Sequence, residues 1–251
     1  MAGVMTGNGN DESQQGIVSW TDHRTNKKVE FDLRTADGLH GYMDFLDLDE
    51  ARPEEMKLPE AERQKKIDAR MKAIEDIFRG KDNGNGVREG GLMMDVRDEI
   101  GQYLEVLQMV EMGYMSMDRL IVSGHSNGNF VYSEEGDDRQ APGIKWDKLA
   151  ALTALFPKAQ HGIKDVMLSA CHTNELFKKD GEVVADTRGS KPARALAPSA
   201  SVHMAYDGKS PAAQEAANQI TRGFLPATEK ADDLADAKRM AARLHGTATV
   251  E

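Results

Sequence analysis

The chain has 251 residues, with 32 Lys and Arg against 42 Asp and Glu, which gives a formal net charge of −10. This acidic balance argues against a general nucleic-acid or anionic-membrane partner, because such binders usually carry a basic face. The sequence has no run of about 18 apolar residues, the length that a transmembrane helix needs. Residues 1–16 lack the basic and apolar stretches of a secretory signal, so we expect a cytoplasmic protein.

The single cysteine, Cys171, excludes an intrachain disulfide and a zinc site made of several thiolates. A lone thiol is more often a small buried hydrophobe than a reactive group, so its sequence context has to decide between the two. The seven histidines show neither H-x₃-H nor H-E-x-x-H spacing, and the segment 82–86 has Gly84 and Gly86 where a calcium loop needs oxygen ligands. We therefore expect no metal and no cofactor.

The beginning of the chain is polar. Residues 1–16 are rich in Gly, Asn, Ser and Gln, which predicts a disordered N-terminal segment. Residues 17–251 are then expected to form one domain. Val29, Phe31 and Leu33 alternate with charged residues, a pattern typical of a half-buried strand.

The rest of the chain alternates between helical and extended patterns. Apolar residues at helical spacing predict helices at about 59–79, 93–112, 146–156, 210–224 and 228–244. Short apolar runs predict strands at 119–123, 163–169 and 201–206, and polar stretches predict loops at 80–91 and 174–199. Strands alternating with helices indicate an α/β fold, with a mostly parallel sheet flanked by helices.

Two of the predicted strands each lead to a side chain suited to catalysis. The strand at 119–123 is followed by His125, and the strand at 163–169 is followed by Cys171, 46 residues later. Sites in open α/β sheets form at the carboxyl ends of the strands, and neighbouring parallel strands bring those ends to one edge. A thiol attacks as its thiolate and needs a nearby imidazole, so these two residues are a candidate Cys–His dyad.

The motifs LIVSGHSNG and DVMLSACHT resemble those of the caspase-like cysteine peptidases, which include caspases, metacaspases, gingipains and CHAT peptidases. The segment from Leu168 to Thr173 is similar to the CHAT-type pattern Leu-Ser-Ala-Cys-x-Thr. The resemblance is strongest over about residues 118–210, and it implies a caspase-like three-layer sandwich. One position differs, because Ser126 follows the histidine where the family usually has glycine.

This resemblance implies an endopeptidase that acts on proteins or peptides. Cys171 would be the nucleophile and His125 the proton-transfer partner, while the backbone N–H groups of Cys171 and Ser126 would form the oxyanion hole. The substrate pocket would involve Ser169, Tyr206 and Asp207. The carboxylate of Asp207 suits a basic substrate residue, although the Asp-Gly sequence there equally fits a simple turn.

The resemblance also suggests self-processing, because the corresponding linker of caspases is cut during activation. The segment after Cys171 carries five basic residues: Lys178, Lys179, Arg188, Lys191 and Arg194. If the pocket prefers a basic residue, this segment is a candidate self-cleavage site.

Two other readings remain open from the sequence. Gly124 to Gly128 also fits the G-x-S-x-G elbow of serine esterases, with Ser126 as the nucleophile and with Asp207 and His245 in the required order. Against it, the residues after the motif are typical of a strand, whereas the elbow turns into a helix. The second reading is a catalytically inactive caspase-like interaction module, suggested by Ser126 in place of glycine.

Overall fold

The computed structural model describes residues 2–5, 17–22, 27–33, 35–82, 88–89, 98–132, 143–177, 183–185, 190–211 and 213–230. The chain divides into two compact units. The sheet unit comprises Met1–Thr6, Met117–Ala141 and Gln160–Glu251, and the helix unit comprises Gly7–Ser116 and Pro142–Ala159. The single domain expected over residues 17–251 stays a prediction. No helix within the described ranges is long and apolar enough to cross a membrane.

The described strands are, in chain order, β1 (Ala2–Met5), β2 (Ile17–Asp22), β3 (Lys27–Asp32), β4 (Lys81–Asp82), β5 (Arg88–Glu89), β6 (Arg119–Ser123), β7 (His125–Ser126), β8 (Phe130–Tyr132), β9 (Gly143–Lys145), β10 (Asp165–Ser169), β11 (Glu175–Phe177), β12 (Val183–Ala185) and β13 (Val202–Met204). The α-helices are α1 (Ala36–Phe45), α2 (Glu60–Arg79), α3 (Asp98–Met112), α4 (Trp146–Ala154), α5 (Pro157–Gly162), α6 (Lys191–Leu196), α7 (Ala213–Asn218) and α8 (Leu225–Lys230). A 3₁₀ turn covers Glu55–Lys57, and a π-helical segment covers Gln219–Phe224.

The main sheet is parallel and has the strand order β1-β6-β10-β13. Strands β6, β10 and β13 form along the apolar runs that the sequence predicts as strands. Every residue of β10 is buried, as expected for a parallel strand covered on both faces. These observations confirm the mixed α/β class and the predicted parallel sheet.

Helices cover both faces of this sheet. On one face, Ile121, Met167 and Met204 pack in a buried cluster with Phe224 of the π-helical segment. On the other face, α6 contacts β10 and β13. The buried His203 points to that side, and its Nε2 lies 3.0 Å from the carbonyl oxygen of Ala197, just after α6. The alternation of side chains along β13 therefore places a helix on each side.

The structure differs from the prediction at the beginning of the chain. Residues 1–16 were expected to be disordered, but Ala2–Met5 form β1, which pairs in parallel with β6. Three of its four residues, Ala2, Val4 and Met5, are apolar, and backbone hydrogen bonds let so short a segment join the edge of a sheet.

The predicted loop at 174–199 is also wrong in part, because it contains a β-hairpin and a helix. Strands β11 and β12 pair antiparallel. The helix α6 begins after Ser190, whose Oγ accepts a hydrogen bond from the Ala193 N–H at 3.3 Å. Ser190, Ala193 and Leu196 are buried. A helix of six residues is too short to show a clear apolar period, although Ser-Lys-Pro is a recognisable helix start.

The longer helices agree with the sequence. Helices α2, α3 and α4 form where apolar periodicity predicts them, and Gly113, with φ of 87°, follows α3 in the left-handed conformation common at helix ends. Ser210 and Pro211 lie outside a helix, although the sequence predicts that one begins at Ser210. From α7 the chain continues through the π-helical segment into α8, which is described as far as Lys230. In the predicted loop at 80–91, β4 and β5 form a short antiparallel pair, and its remaining residues beyond Gly80 lie outside the described ranges.

Asp165, at the start of β10, makes the stability of the sheet unit depend on pH. Burial raises the pKa of its carboxyl to about 6, against a smaller opposing effect of Arg119, whose Nε lies 3.8 Å away. The carboxyl of Asp165 therefore binds its proton more tightly in the folded chain than in the unfolded chain. Protonation of this group stabilises the fold below about pH 4, and the stabilisation is lost as the pH rises through 6.

We therefore expect the free energy of unfolding to fall by about 1–2 kcal/mol from this group between pH 4 and 7, since water still screens the carboxyl in part. Asp165→Asn should remove that fall, because the neutral amide resembles the protonated acid. Urea titrations at several pH values measure the effect, with Asp68→Asn on the exposed face of α2 as the control. An unchanged pH dependence in Asp165→Asn would contradict the assignment.

Candidate active site

The register of the main sheet brings His125 and Cys171 to equivalent positions. Ser123, the last residue of β6, is paired with Ser169, the last residue of β10. The Gly124 N–H donates to the Ser169 carbonyl at 3.2 Å, so the pairing continues past the strand ends. His125 and Cys171 each follow this pair by two residues in the sequence, and the pair itself joins strands about 4.8 Å apart. The expectation that these residues follow neighbouring parallel strands is confirmed.

The histidine lies on a short β-hairpin. His125 and Ser126 form β7, which pairs antiparallel with β8. The Oδ1 of Asn127 accepts hydrogen bonds from the N–H groups of Asn129 and Phe130, at 3.1 and 3.2 Å, and these contacts fix the turn. The motif GHSNG therefore leads from one strand into another. His125 is half-buried, whereas Ser126 is only 4% exposed.

The sulfur of Cys171 is held by one residue from the loop after β13. The Ser210 N–H donates to the Cys171 Sγ at 3.3 Å, and the Ser210 Oγ lies 3.4 Å from the same sulfur. Cys171 is half-buried, so its sulfur is not sealed in the core. Sequence reasoning missed this contact, because Ser210 followed by Pro211 has the pattern of a helix start.

Backbone hydrogen bonds clamp the loop of Cys171 onto the loop that carries Ser210. The His172 N–H donates to the Gly208 carbonyl at 2.6 Å, and the Asn174 N–H donates to the Tyr206 carbonyl at 3.0 Å. The Glu175 carboxylate accepts from the Gly208 N–H and lies 2.8 Å from His172 Nδ1. His172 and Gly208 have positive φ angles, of 56° and 77°. This left-handed backbone conformation turns each loop sharply at that residue. We call these contacts the loop clamp.

The buried Thr173 adds a second tie between these elements. Its Oγ1 donates to the Ala170 carbonyl at 3.0 Å and accepts from the Tyr206 N–H at 3.2 Å. The Ser190 hydroxyl, at the start of α6, donates to the Thr173 carbonyl. The segment that carries Cys171 is therefore bound on one side to the loop after β13 and on the other to α6.

The three predicted pocket residues end or follow the neighbouring strands β10 and β13, but their surroundings differ. Ser169 is 3% exposed, and its hydroxyl has no hydrogen-bonding partner within the described part of the chain. Tyr206 packs in the core cluster and donates its hydroxyl to Gln219. Burial, with a smaller effect of Glu215, raises the pKa of Tyr206 to about 12, so the phenol stays neutral near pH 7.

Asp207 already has a partner inside the site. Its Oδ1 accepts a hydrogen bond from Asn174 Nδ2 at 2.7 Å. This contact, beside the left-handed Gly208, agrees with the turn that the Asp-Gly sequence indicates. A basic substrate residue would have to share the carboxylate with Asn174, so a pocket for such residues stays a prediction.

The remaining site predictions are not tested by the described residues. His245 and three of the basic residues (Lys178, Lys179 and Arg188) lie outside the described ranges, whereas Lys191 and Arg194 lie in α6. No cluster of three or more His, Cys, Asp or Glu side chains suited to a metal ion occurs in the described part of the chain.

Comparison with known proteins adds no assignment. No protein-family model matches this chain, and no curated protein sequence matches it either. The residues and geometry of the site itself are therefore the basis for assigning a function.

Proposed function

We propose that the protein is a cysteine endopeptidase with a caspase-like sandwich fold, and that Cys171 and His125 form its dyad. The observation that carries this proposal is the register of β6 and β10, which puts both residues two positions beyond a paired end of neighbouring parallel strands. Helices on both faces of the sheet are compatible with the sandwich that the resemblance implies. The half-burial of both side chains suits groups that must meet a substrate.

The proposed reaction follows the chemistry of a thiolate nucleophile. The ionised sulfur of Cys171 attacks the carbonyl carbon of a peptide bond, and the backbone N–H groups of Cys171 and Ser126 stabilise the negative oxygen. Protonated His125 then gives its proton to the amide nitrogen, which leaves as an amine. Water attacks the resulting thioester, with neutral His125 accepting a proton, and this step releases the acid and the thiolate.

Two observations favour this mechanism over the serine esterase. A nucleophile elbow exposes its serine on a strand-to-helix turn, but Ser126 lies in a β-hairpin and is 4% exposed. The Ser126 Oγ also accepts a hydrogen bond from the Gly128 N–H at 3.0 Å, a contact within its own turn. Both features suit a serine that stabilises the turn after His125.

Two electrophiles that react with different nucleophiles test the proposal. The purified full chain is treated with iodoacetamide or with a fluorophosphonate, and hydrolysis of fluorescently labelled, denatured casein is then followed. We expect iodoacetamide to abolish hydrolysis, with one carbamidomethyl group on Cys171 by peptide mass spectrometry, and the fluorophosphonate to have no effect. Loss of hydrolysis together with a fluorophosphonate adduct on Ser126 would overturn the proposal in favour of the esterase.

If the peptidase cleaves itself after basic residues, the structure limits where it can cut. Peptidases cut exposed loops more readily than hydrogen-bonded helices, and Lys191 and Arg194 lie in α6. We therefore expect no cut after Lys191 or Arg194, which leaves Lys178, Lys179 and Arg188 of the five basic residues. Intact-mass spectrometry of the purified chain should find those fragments, and Cys171→Ala should remain whole. A single uncut chain with full activity, or the same cut in Cys171→Ala, would contradict self-processing.

A further inference from the structure

The loop after β13 brings two hydrogen-bond donors to one sulfur atom. The backbone N–H of Ser210 lies 3.3 Å from Cys171 Sγ, and the Ser210 hydroxyl oxygen lies 3.4 Å from it. A neutral thiol can donate or accept, but a thiolate carries no hydrogen and can only accept. When the sulfur is ionised, both groups of Ser210 therefore donate to it.

We propose that Ser210 is a catalytic residue of this site, which holds the Cys171 sulfur in place and stabilises its negative charge. The proposal rests on the proposed function in that Cys171 must be the nucleophile. The sulfur is negatively charged twice in that reaction, before it attacks and again when water expels it from the thioester. Donors fixed beside the sulfur assist at both points, because hydrogen bonds to a charged atom are stronger than those between neutral groups.

The loop clamp explains how Ser210 keeps its position. Gly208, two residues earlier, is bound through both of its backbone groups: its carbonyl accepts from the His172 N–H, and its N–H donates to the Glu175 carboxylate. His172 directly follows Cys171, so the two loops cannot shift separately at this point. The sulfur and its donors therefore move as one unit.

The residue after Ser210 favours the same geometry. Pro211 disfavours helical backbone angles at Ser210, and neither of these two residues is helical in the structure. The Ser210 N–H is consequently not needed for the helix and is available to the sulfur. The Ser-Pro pair, which by sequence predicts a helix start, thus has a second role at the end of β13.

The test measures the reactivity of the thiol, with or without a peptide substrate. Cys171 is the only cysteine in the chain, so the rate of alkylation by iodoacetamide at pH 7 reports on this sulfur alone. We expect Ser210→Ala to lower that rate about tenfold or more, as the loss of one hydrogen bond to a charged atom suggests. Ser210→Thr, which keeps a hydroxyl, should stay within about twofold of the wild type.

Controls separate this effect from a change in folding. Ser201→Ala removes an exposed serine hydroxyl from the same unit and should leave the rate unchanged. Circular dichroism should give similar melting temperatures for all variants, and Ser210→Gly supplies a second hydroxyl-free variant if Ser210→Ala does not fold. Alkylation of the folded hydroxyl-free variant at the wild-type rate, or a failure of Ser210→Thr to restore the rate, would overturn the role of Ser210.

Casein hydrolysis separates this proposal from the peptidase proposal. In an active peptidase, Ser210→Ala should lower kcat and leave KM nearly unchanged, because Ser210 contacts the nucleophile. Slower alkylation of Ser210→Ala in a chain that hydrolyses no peptide would support the role of Ser210 and refute the peptidase. Hydrolysis that requires Cys171 but is insensitive to the loss of the Ser210 hydroxyl would support the peptidase and refute the role of Ser210.

Discussion

Replacing Cys171 by Ala is expected to lower kcat/KM for casein hydrolysis by at least about 1,000-fold. The reason is that the proposed reaction passes through a bond to this sulfur, and removal of a nucleophile leaves only the contribution of binding and of the oxyanion hole. His125→Ala should cost about 100-fold or more, because the leaving amine then departs without a positioned acid. Initial rates with labelled casein, measured with equal concentrations of folded protein, give these numbers.

Ser126→Ala is the comparison variant for this experiment. It removes the hydroxyl that an esterase would need but keeps the backbone N–H that the peptidase would use. We therefore expect kcat/KM for casein to fall by less than about tenfold. If instead Ser126→Ala abolishes hydrolysis and Cys171→Ala retains it, the serine esterase is the better reading. If the wild type hydrolyses nothing and Cys171→Ala keeps its biological effect, the protein is an interaction module.

The part of the site that follows from sequence is the part set by regular structure. Strands β6 and β10 are short apolar runs, and their ends mark where the chain leaves the sheet. Neighbouring parallel strands then imply a shared edge for His125 and Cys171, and the register from Ser123 to Ser169 confirms that β6 and β10 are such neighbours. Periodicity and strand order were sufficient here because both residues follow buried strands within two positions.

Contacts between irregular loops could not be predicted in this way. Ser210 meets Cys171 across 39 positions of sequence, and no local pattern encodes which loop approaches the sulfur. The hydrogen bond from Asn174 to Asp207 likewise joins two loops. Because of it, the carboxylate that the sequence suggests for substrate binding already has a partner within the protein. Such pairings depend on how β10 and β13 are placed side by side, which single-residue preferences do not specify.

The short elements α6 and β1 were not predicted, for a different reason. The helix α6 buries Ala193 and Leu196 in only six residues, too few for an apolar period to stand out from a loop. Strand β1 has only four residues, too few to stand out within the polar segment 1–16, and it is found through its backbone pairing with β6. In both cases tertiary contacts decide a structure that local propensity leaves open.

The helix unit contains a buried charge cluster, made of Arg52, Glu55, Arg70 and Glu111, all at most 6% exposed. Arg70 Nη1 lies 2.7 Å from Glu55 Oε1, and the other two guanidinium nitrogens donate to the carbonyls of Leu48 and Glu50. The second Glu55 oxygen accepts from the Arg52 N–H at 2.9 Å.

Arg52 extends this cluster towards Glu111. Its Nη1 lies 3.6 Å from Glu111 Oε2, its Nη2 donates to the Leu155 carbonyl at 2.8 Å, and its guanidinium lies 5.1 Å from the centre of the Phe156 ring. Burial, followed by repulsion from Arg70, lowers the pKa of Arg52 below its ordinary value. These buried charges are therefore tolerated only because each one has partners.

Arg70→Met should consequently lower the free energy of unfolding of the helix unit by about 3–5 kcal/mol, because it leaves the charge of Glu55 buried without its cation. The two tryptophans, Trp20 and Trp146, both belong to the helix unit, so tryptophan fluorescence during urea unfolding reports on this unit. The size of the loss comes mainly from the stranded carboxylate, since methionine retains most of the apolar stem of arginine.

Removing the stranded charge as well should restore part of this stability. In the double variant Arg70→Met with Glu55→Gln, the amide oxygen can still accept from the Arg52 N–H, and we expect recovery of at least about 1 kcal/mol. Arg79→Met, on the same helix, breaks an accessible pair with Glu75 at 2.8 Å and should cost less than about 1 kcal/mol. Equal losses in Arg70→Met and Arg79→Met, or a double variant less stable than Arg70→Met alone, would contradict a stranded carboxylate as the cause. The buried charge cluster would then contribute through packing alone.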